Sequence, residues 1–378
     1  MAQPVKRGDT WSVRIELPAD PITGERKRAR VTAKSKAELK RKVTEAEHRV
    51  MTRSYVPTSR QAYGDFLTGW LENVQKREVR DTTYAGYVYL AEGHIKPTLG
   101  RTPLQDLTAS QLEAFYTEKL TTKVRGDGTM APQTVRLMHS LIRRSLAYAL
   151  RHELVSKNVA SIAHPPKKAA AEIHPWNREQ QRAFLKVAML DETYPSIWPV
   201  ALGTGMRRGE LLGLRWQDVD LEAGTIKVAQ QLVKTTDNRM VYQTPKTEAG
   251  KRSISLSPHL IEVLRRQSIR QKEWQLASSD WAATRLVFTT KDGQPIHPTN
   301  LGKRFAVLCG LAMVPAIRFH DLRHTHATEL LRQGIDSKHV AQRLGHSSIT
   351  VTLDVYSHVM PDMQWAAIAG LDDALFGT

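Results

Sequence analysis

Apolar residues alternate along Trp11, Val13, Ile15 and Leu17, the period of a strand buried on one face. The turn-forming run Pro21-Ile22-Thr23-Gly24 follows, and Arg26 to Thr32 can return as a second strand. From Lys36 to Met51 the spacing lengthens: Ala37, Leu39, Val43, Ala46 and Val50 recur among charges at helical steps. Residues 1–56 are therefore expected to form a small sheet with one helix. Lys6, Arg7, Arg26, Lys27, Arg28 and Arg30 leave that module basic, either as a solvated surface or as a contact for an anion.

Residues 59–163 keep the helical period. Tyr63, Phe66, Leu67, Trp70 and Leu71 lie on one face, and a second helix is expected over Thr82 to His94, stopped by Pro97 and Gly100. Thr108 and Gln111 open a third that reaches Leu120, and Pro132 opens a fourth over Gln133 to Glu153. Its Val135, Met138, Leu141, Ile142 and Leu146 face inward, with Arg136, Arg143, Arg144 and Arg151 available outward. A bundle of about four helices fits this pattern.

The run from His164 through two prolines and two lysines to Ala171 reads as a linker, and residues 164–174 separate the bundle from a third block, 175–378. That block starts as a helix over Asn177 to Leu190. Thr225 to Val233, Met240 to Gln243 and Arg252 to Leu256 are expected to pair as one three-stranded antiparallel sheet. The fold class is thus mixed and mainly α: a sheet-plus-helix module, a helical bundle, and an α-rich domain with a small antiparallel sheet.

Composition narrows the partner. Fifty-five Lys and Arg stand against 38 Asp and Glu, and a net charge of +17 favours a polyanion such as nucleic acid. No apolar run approaches the ~18–20 residues of a membrane span, and Met1 to Thr10 lacks the apolar stretch of a signal peptide. A membrane partner is not expected; a soluble protein of a reducing compartment such as the cytoplasm, binding nucleic acid, is. The single cysteine, Cys309, allows neither an internal disulfide nor a Cys-rich zinc site and is expected to be a small buried hydrophobe.

Chemistry collects in the third block. In Thr204-Gly205-Met206-Arg207-Arg208-Gly209-Glu210 a glycine turn opens a helix, and Arg207 and Glu210 share a face. A forked guanidinium there suits a phosphate, with Glu210 placed to hold it or a neighbour; a surface ion pair would look similar. Lys246 sits on an expected hairpin, where a lysine can protonate a leaving oxygen or be merely solvated. His320 and Arg323 share one helical face and can converge on one phosphate. His320 and His324 also have metal-ligand spacing, but Asp321 follows His320 where a zinc-protease helix has Glu. His324 and His326 are read as core histidines. Leu344-Gly345-His346 places an imidazole at a turn into a helix, and Tyr356 needs cationic neighbours before its hydroxyl can be a nucleophile.

Taken together these residues suit metal-independent phosphodiester chemistry. Arg207 and Arg323 would neutralise the charge of a pentacoordinate phosphorus, His320, His346 and Lys246 would manage protons, and Tyr356 would attack. No cofactor is required. The five segments, Thr204 to Glu210, Pro245-Lys246-Thr247, His320 to His324, Leu344-Gly345-His346 and Tyr356-Ser357-His358, resemble in order the motifs of the tyrosine site-specific recombinases, the phage-type integrases. The resemblance spans about the last 200 residues. It implies a pocket of Arg207, Lys246, His320, Arg323 and His346, a supporting Glu210, and Tyr356 joined to DNA as a 3′-phosphotyrosine. It also implies an arm-type DNA-binding module in residues 1–56, a core-binding domain in 59–163 that clamps double-stranded DNA with the catalytic domain, and a homotetramer on core and arm attachment sites. A host DNA-bending protein and an excision factor are further expected partners. Apolar residues at helical spacing over Pro361 to Phe376 suggest a tail that docks on its own domain or a neighbouring protomer. A DNA-binding regulator, a type IB topoisomerase and a metal-dependent nuclease are the competing readings.

Overall fold

A computed structural model of the chain describes residues 3–19, 26–51, 59–122, 128–168, 174–235, 239–245, 247–346, 348 and 375. The chain divides into two compact units, Met1–Ala170 and Ala171–Thr378.

In the first unit β1 (Val5–Arg7), β2 (Thr10–Ala19) and β3 (Arg26–Ala33) form an antiparallel sheet in that order. Alternation divides its faces: Val13, Ile15 and Ala33 are buried, while Arg14 and Glu16 stand exposed opposite Arg30 and Arg28. Leu39 and Val43 of α1 (Lys36–Met51) pack on the apolar face with Trp11 and Val31.

The helical part is built from long runs that change pitch. α2 (Tyr63–Trp70) passes through a π-helical turn, Leu71–Gln75, into α3 (Lys76–Glu78). α4 (Asp81–Leu90) passes through a second, Ala91–Ile95, into α5 (Lys96–Leu99). The helix thus runs past Pro97, where the sequence pattern predicts a stop. The wide turn just before Pro97 relieves the clash between its ring and the carbonyl four residues back. α6 (Ala109–Thr121) starts at a capping box of Thr108 and Gln111, and α7 (Pro132–Arg151) contributes Val135, Met138, Leu141 and Ile142 to a core with Tyr63, Leu67, Leu112 and Phe115. Buried hydroxyls are paired: Tyr63 Oη with Ser145 Oγ at 2.9 Å, and Tyr116 Oη with His139 Nδ1 at 2.9 Å. The start of the Pro-rich segment is tied down rather than only solvated. The backbone N–H of His164 donates to Glu113 Oε1 at 2.9 Å, and Arg136 Nη1 donates to the Pro166 carbonyl at 2.7 Å.

The second unit is centred on aromatic packing. Trp176, Phe184, Trp198, Phe305 and Phe319 stack and cross at 4.9–6.2 Å between ring centroids. They come from α8 (Arg178–Ala188), α9 (Ile197–Thr204) and α12 (Pro298–Leu311), and from the residues just before α8 and before His320. After α9 come α10 (Arg208–Leu212), β4 (Val219–Asp220), β5 (Thr225–Val228), β6 (Gln231–Lys234), β7 (Met240–Gln243), β8 (Arg252–Ser255) and α11 (Pro258–Ala277). Then follow α12, α13 (Asp321–Arg332) and α14 (Ser337–Leu344). The expected single strand Thr225 to Val233 is divided. β5 lies between β4 and β8, while β6 pairs with β7 in a separate sheet, so β7 and β8 are not partners and the hairpin expected between them is not formed. The break at Ala229-Gln230 has a cause in packing: Gln230 Nε2 donates to the Gly213 carbonyl at 2.8 Å, and Leu232 enters the core beside Leu211 and Leu212. Cys309 is buried in the same core, and burial pushes its thiol up to about 11. No described helix is long and apolar enough to cross a membrane.

Candidate active site

The glycine turn of the sequence motif ends α9. Gly205 has φ +64°, the left-handed region, and a Cβ there would lie 2.7 Å from the His326 ring and 2.8 Å from Leu344. The turn brings Arg207 to the start of α10, one turn before Glu210. The Arg207 backbone N–H donates to Glu210 Oε2 at 3.0 Å, and its Nη1 donates to Oε1 at 2.8 Å. The Arg207 side chain remains 37% exposed, against 3% for Glu210. A guanidinium braced from below by a buried acid and open above can still meet a phosphate.

α14 organises the second half. Its C-terminus closes as a Schellman turn, with Gly345 at φ +70° and the His346 N–H donating to the Ala341 carbonyl at 3.0 Å. Three successive carbonyls near this end then accept from arginines. Arg252 Nε donates to Arg343 O at 2.6 Å, Arg323 Nη2 to Leu344 O at 2.7 Å, and Arg207 Nη2 to Gly345 O at 3.0 Å. The end of a helix leaves such carbonyls without intrahelical donors and carries partial negative charge, so three cations satisfy both needs. Arg323 also donates from Nη1 to Gly205 O at 3.0 Å and is buried at 2% exposure. From the interior it links the glycine turn to the end of α14.

His320 immediately precedes α13 at the pocket surface, and His346 follows α14 half-buried. Burial, followed by the charges of Arg323 and Arg207, pushes the His346 imidazole down to about 4. The surrounding protein and the same two cations hold His320 below the usual histidine range. Both rings are therefore neutral near pH 7 and able to accept or relay a proton. His324 is half-buried and packs edge-on to His320, 5.1 Å between ring centroids, so it belongs to the rim of the pocket rather than to the core. His326 does lie in the interior, where burial pushes it down to about 3 and Arg343 Nε donates to its Nε2 at 3.1 Å. Asp321 is engaged by Arg318, whose backbone N–H and Nη2 donate to it at 2.9 and 2.8 Å. Among the described residues no three His, Cys, Asp or Glu side chains converge as a metal site would require.

Of the residues singled out from sequence, Arg207, Glu210, His320, Arg323 and His346 thus share one neighbourhood. Lys246, Tyr356 with the segment around it, and the 361–376 tail apart from Leu375 lie outside the described residues. The structure adds two arginines that sequence reasoning passed over. Arg252 makes a bidentate bridge to Glu210, Nη2–Oε2 2.9 Å and Nη1–Oε1 3.2 Å. Arg343 spans His326, the Ser255 carbonyl and the Gly203 carbonyl. Their proximity to the motifs in sequence was the only available signal: Arg252 follows the Pro245-Lys246-Thr247 segment by a few residues, and Arg343 precedes Leu344-Gly345-His346.

Residues 178–363 match the model of the phage integrase family, and residues 62–120 match the N-terminal SAM-like domain of phage integrases. The chain belongs to the phage integrase family, whose members are tyrosine recombinases. It is 26% identical over 377 residues to the ICEBs1 integrase of Bacillus subtilis, covering 97% of each chain. Among solved structures it is similar to the integrase of transposon Tn1549 in complex with a circular intermediate DNA, with a TM-score of 0.67 and 21% identity over 82% of this chain and 99% of that one. It is also similar to the lambda integrase tetramer bound to a Holliday junction, with a TM-score of 0.57 and 14% identity over 93% of both chains. At these identities the structural likenesses establish the fold, mainly helical with small antiparallel sheets.

Proposed function

We propose that this recombinase integrates, and in the reverse direction excises, a mobile element by cutting and rejoining double-stranded DNA at paired attachment sites. The Tyr356 hydroxyl attacks a backbone phosphorus, forming a 3′-phosphotyrosine as the bond to the 5′ oxygen breaks. Lys246 delivers a proton to that leaving oxygen. Arg207 and Arg323 neutralise the nonbridging oxygens, His320 and His346 handle the tyrosine proton, and Glu210 supports Arg207. The 5′-hydroxyl of the partner strand then attacks the phosphotyrosine and releases the enzyme. One phosphodiester is consumed and one formed, so no cofactor or external energy source is needed.

The observation that carries this reading is the grouping of Arg207, Arg323, His320 and His346 around the glycine turn and the end of α14. Two fixed guanidiniums beside two neutral imidazoles provide positive charge and proton acceptors at one point. The full assembly is read as a homotetramer on two duplexes in the cytoplasm, with residues 1–56 on arm sites and 59–163 on core sites. The exposed arginines of β2 and β3 support the first assignment. A host bending protein and an excision factor complete the proposed partners. The test is recombination between two plasmid-borne junctions taken from the ends of the source element, with EDTA present. Recombinant product is expected; strict dependence on a divalent metal would overturn the mechanism.

A further inference from the structure

The arginine on β8 has no part in the chemistry proposed above, yet its side chain is held by four hydrogen bonds. Arg252 is 6% exposed at its side chain. Its Nη2 and Nη1 grip both oxygens of Glu210, Nη1 also reaches Gly250 O at 3.3 Å, and Nε donates to Arg343 O at 2.6 Å. These contacts join three segments far apart in sequence: β8, the helix that carries Glu210, and the end of the helix that leads to His346.

We propose that Arg252 is a positioning residue for strand transfer, locking β8, Glu210 and the end of α14 into one frame so that Arg207 presents its guanidinium to the phosphate. This rests on the function proposed above.

Two physical points support it. The first concerns charge. Glu210 is shared by Arg207 and Arg252, and its carboxyl is held below the usual carboxylate range by those hydrogen bonds and charges despite its burial. With Arg252 present, the acid is compensated twice and Arg207 keeps an uncancelled positive charge for an incoming phosphate. Without it, Glu210 and Arg207 would form a closed neutral pair and the pocket would lose one unit of charge. The second point concerns geometry. Arg207 and Arg252 donate to Gly345 O and Arg343 O, carbonyls two residues apart in the same turn. A shift of that turn therefore moves Arg207 and His346 together, and displacement of about 1 Å at a reacting centre is enough to cost on the order of 100-fold in rate. Lysine cannot reproduce the arrangement, because an ammonium lacks the planar fork that spans two carboxylate oxygens and a carbonyl.

The test compares wild type, Arg252→Met and Arg252→Lys as full chains. The first readout is the rate of covalent adduct formation on a nicked duplex from the element junction, at saturating protein. The second is the titration of His346, followed by NMR of ring-labelled histidine and assigned with His346→Gln. We expect both variants to bind the duplex within about threefold of wild type and to form adduct roughly 10–100-fold more slowly. We also expect the His346 titration to move upward in Arg252→Met, where a neighbouring cation has gone, and less in Arg252→Lys. A role confined to stability would lower the melting temperature with adduct rate and His346 titration unchanged, and that result overturns the proposal. Should Arg252→Met not fold, Arg252→Lys decides alone: an adduct rate within twofold of wild type rejects the positioning role. If wild type itself forms no adduct, the proposed function fails, and the histidine titration still reports whether Arg252 sets the pocket.

Discussion

The guanidiniums of Arg207 and Arg323 hang from adjacent carbonyls of one turn, Gly345 at 3.0 Å and Leu344 at 2.7 Å. One reaches the surface and the other lies beneath it, so the same backbone turn sets both. Arg207→Lys keeps the charge but cannot hold Glu210, Gly345 and a phosphate at once. We expect the rate of covalent adduct formation in that variant to fall on the order of 100-fold, with duplex affinity little changed. Single-turnover kinetics on a nicked duplex measure this, and near-normal turnover would argue against a phosphate clamp.

Glu210 is the acid on which two arginines converge in the interior. Replacing it with glutamine leaves Arg252 buried without its counter-ion. Removing one partner of a buried ion pair typically costs about 3–5 kcal/mol. Urea unfolding of Glu210→Gln should show a loss of that order, and a loss below about 1 kcal/mol would mean that Arg252 finds other compensation.

Much of the site was legible because its parts are local. The glycine turn with Arg207 and Glu210, the His320 and Arg323 pair, and Leu344-Gly345-His346 are each short motifs whose meaning needs only helical spacing. Arg252 and Arg343 were not legible, because their partners lie 42 residues away at Glu210 and 140 away at Gly203. Only tertiary closure reveals such pairs. The strand run Thr225 to Val233 was misread for a similar reason: no glycine or proline breaks it, but the two halves face different neighbours, β8 and α10. The helix past Pro97 depends on a π-helical turn, which sequence periodicity does not report. His324 and His326 are two residues apart and have different fates, one at the pocket rim and one in the interior, since successive positions on a helix point to different faces.

The left-handed turn at Gly345 gives a sharper structural test. A Cβ at this position would lie 2.6 Å from the Ala249 carbonyl oxygen, and the φ of +70° disfavours any L side chain. Gly345→Ala should destabilise the protein by at least about 1–2 kcal/mol and slow adduct formation, because the turn carries Arg207. Thermal melting and adduct kinetics on the same sample check both effects; an unaltered melting curve would show that the turn does not hold this conformation.

Acid stability follows from the buried imidazoles. Burial first and neighbouring arginines second push His326 down to about 3 and His346 to about 4, and burial first with His320 second pushes His324 down to about 4. Between those values and the ordinary histidine range the unfolded chain binds protons that the folded chain does not. Stability contributed by the neutral rings is therefore full above about pH 6.5 and declines as the pH falls towards 4. The melting temperature should drop over that interval, and His326→Gln, which keeps an acceptor for Arg343, should flatten the decline. An unchanged slope in His326→Gln would remove His326 as its source.

The central claim, that this chain joins itself to DNA through Tyr356, is tested most directly by covalent trapping. Wild type and Tyr356→Phe are incubated with nicked duplexes spanning the element junctions, and the products are resolved on a denaturing gel. The account predicts a protein–DNA band in wild type alone, with both proteins binding the duplex equally well before denaturation. A band that persists in Tyr356→Phe would contradict it, as would its absence from wild type on a junction that the same protein recombines.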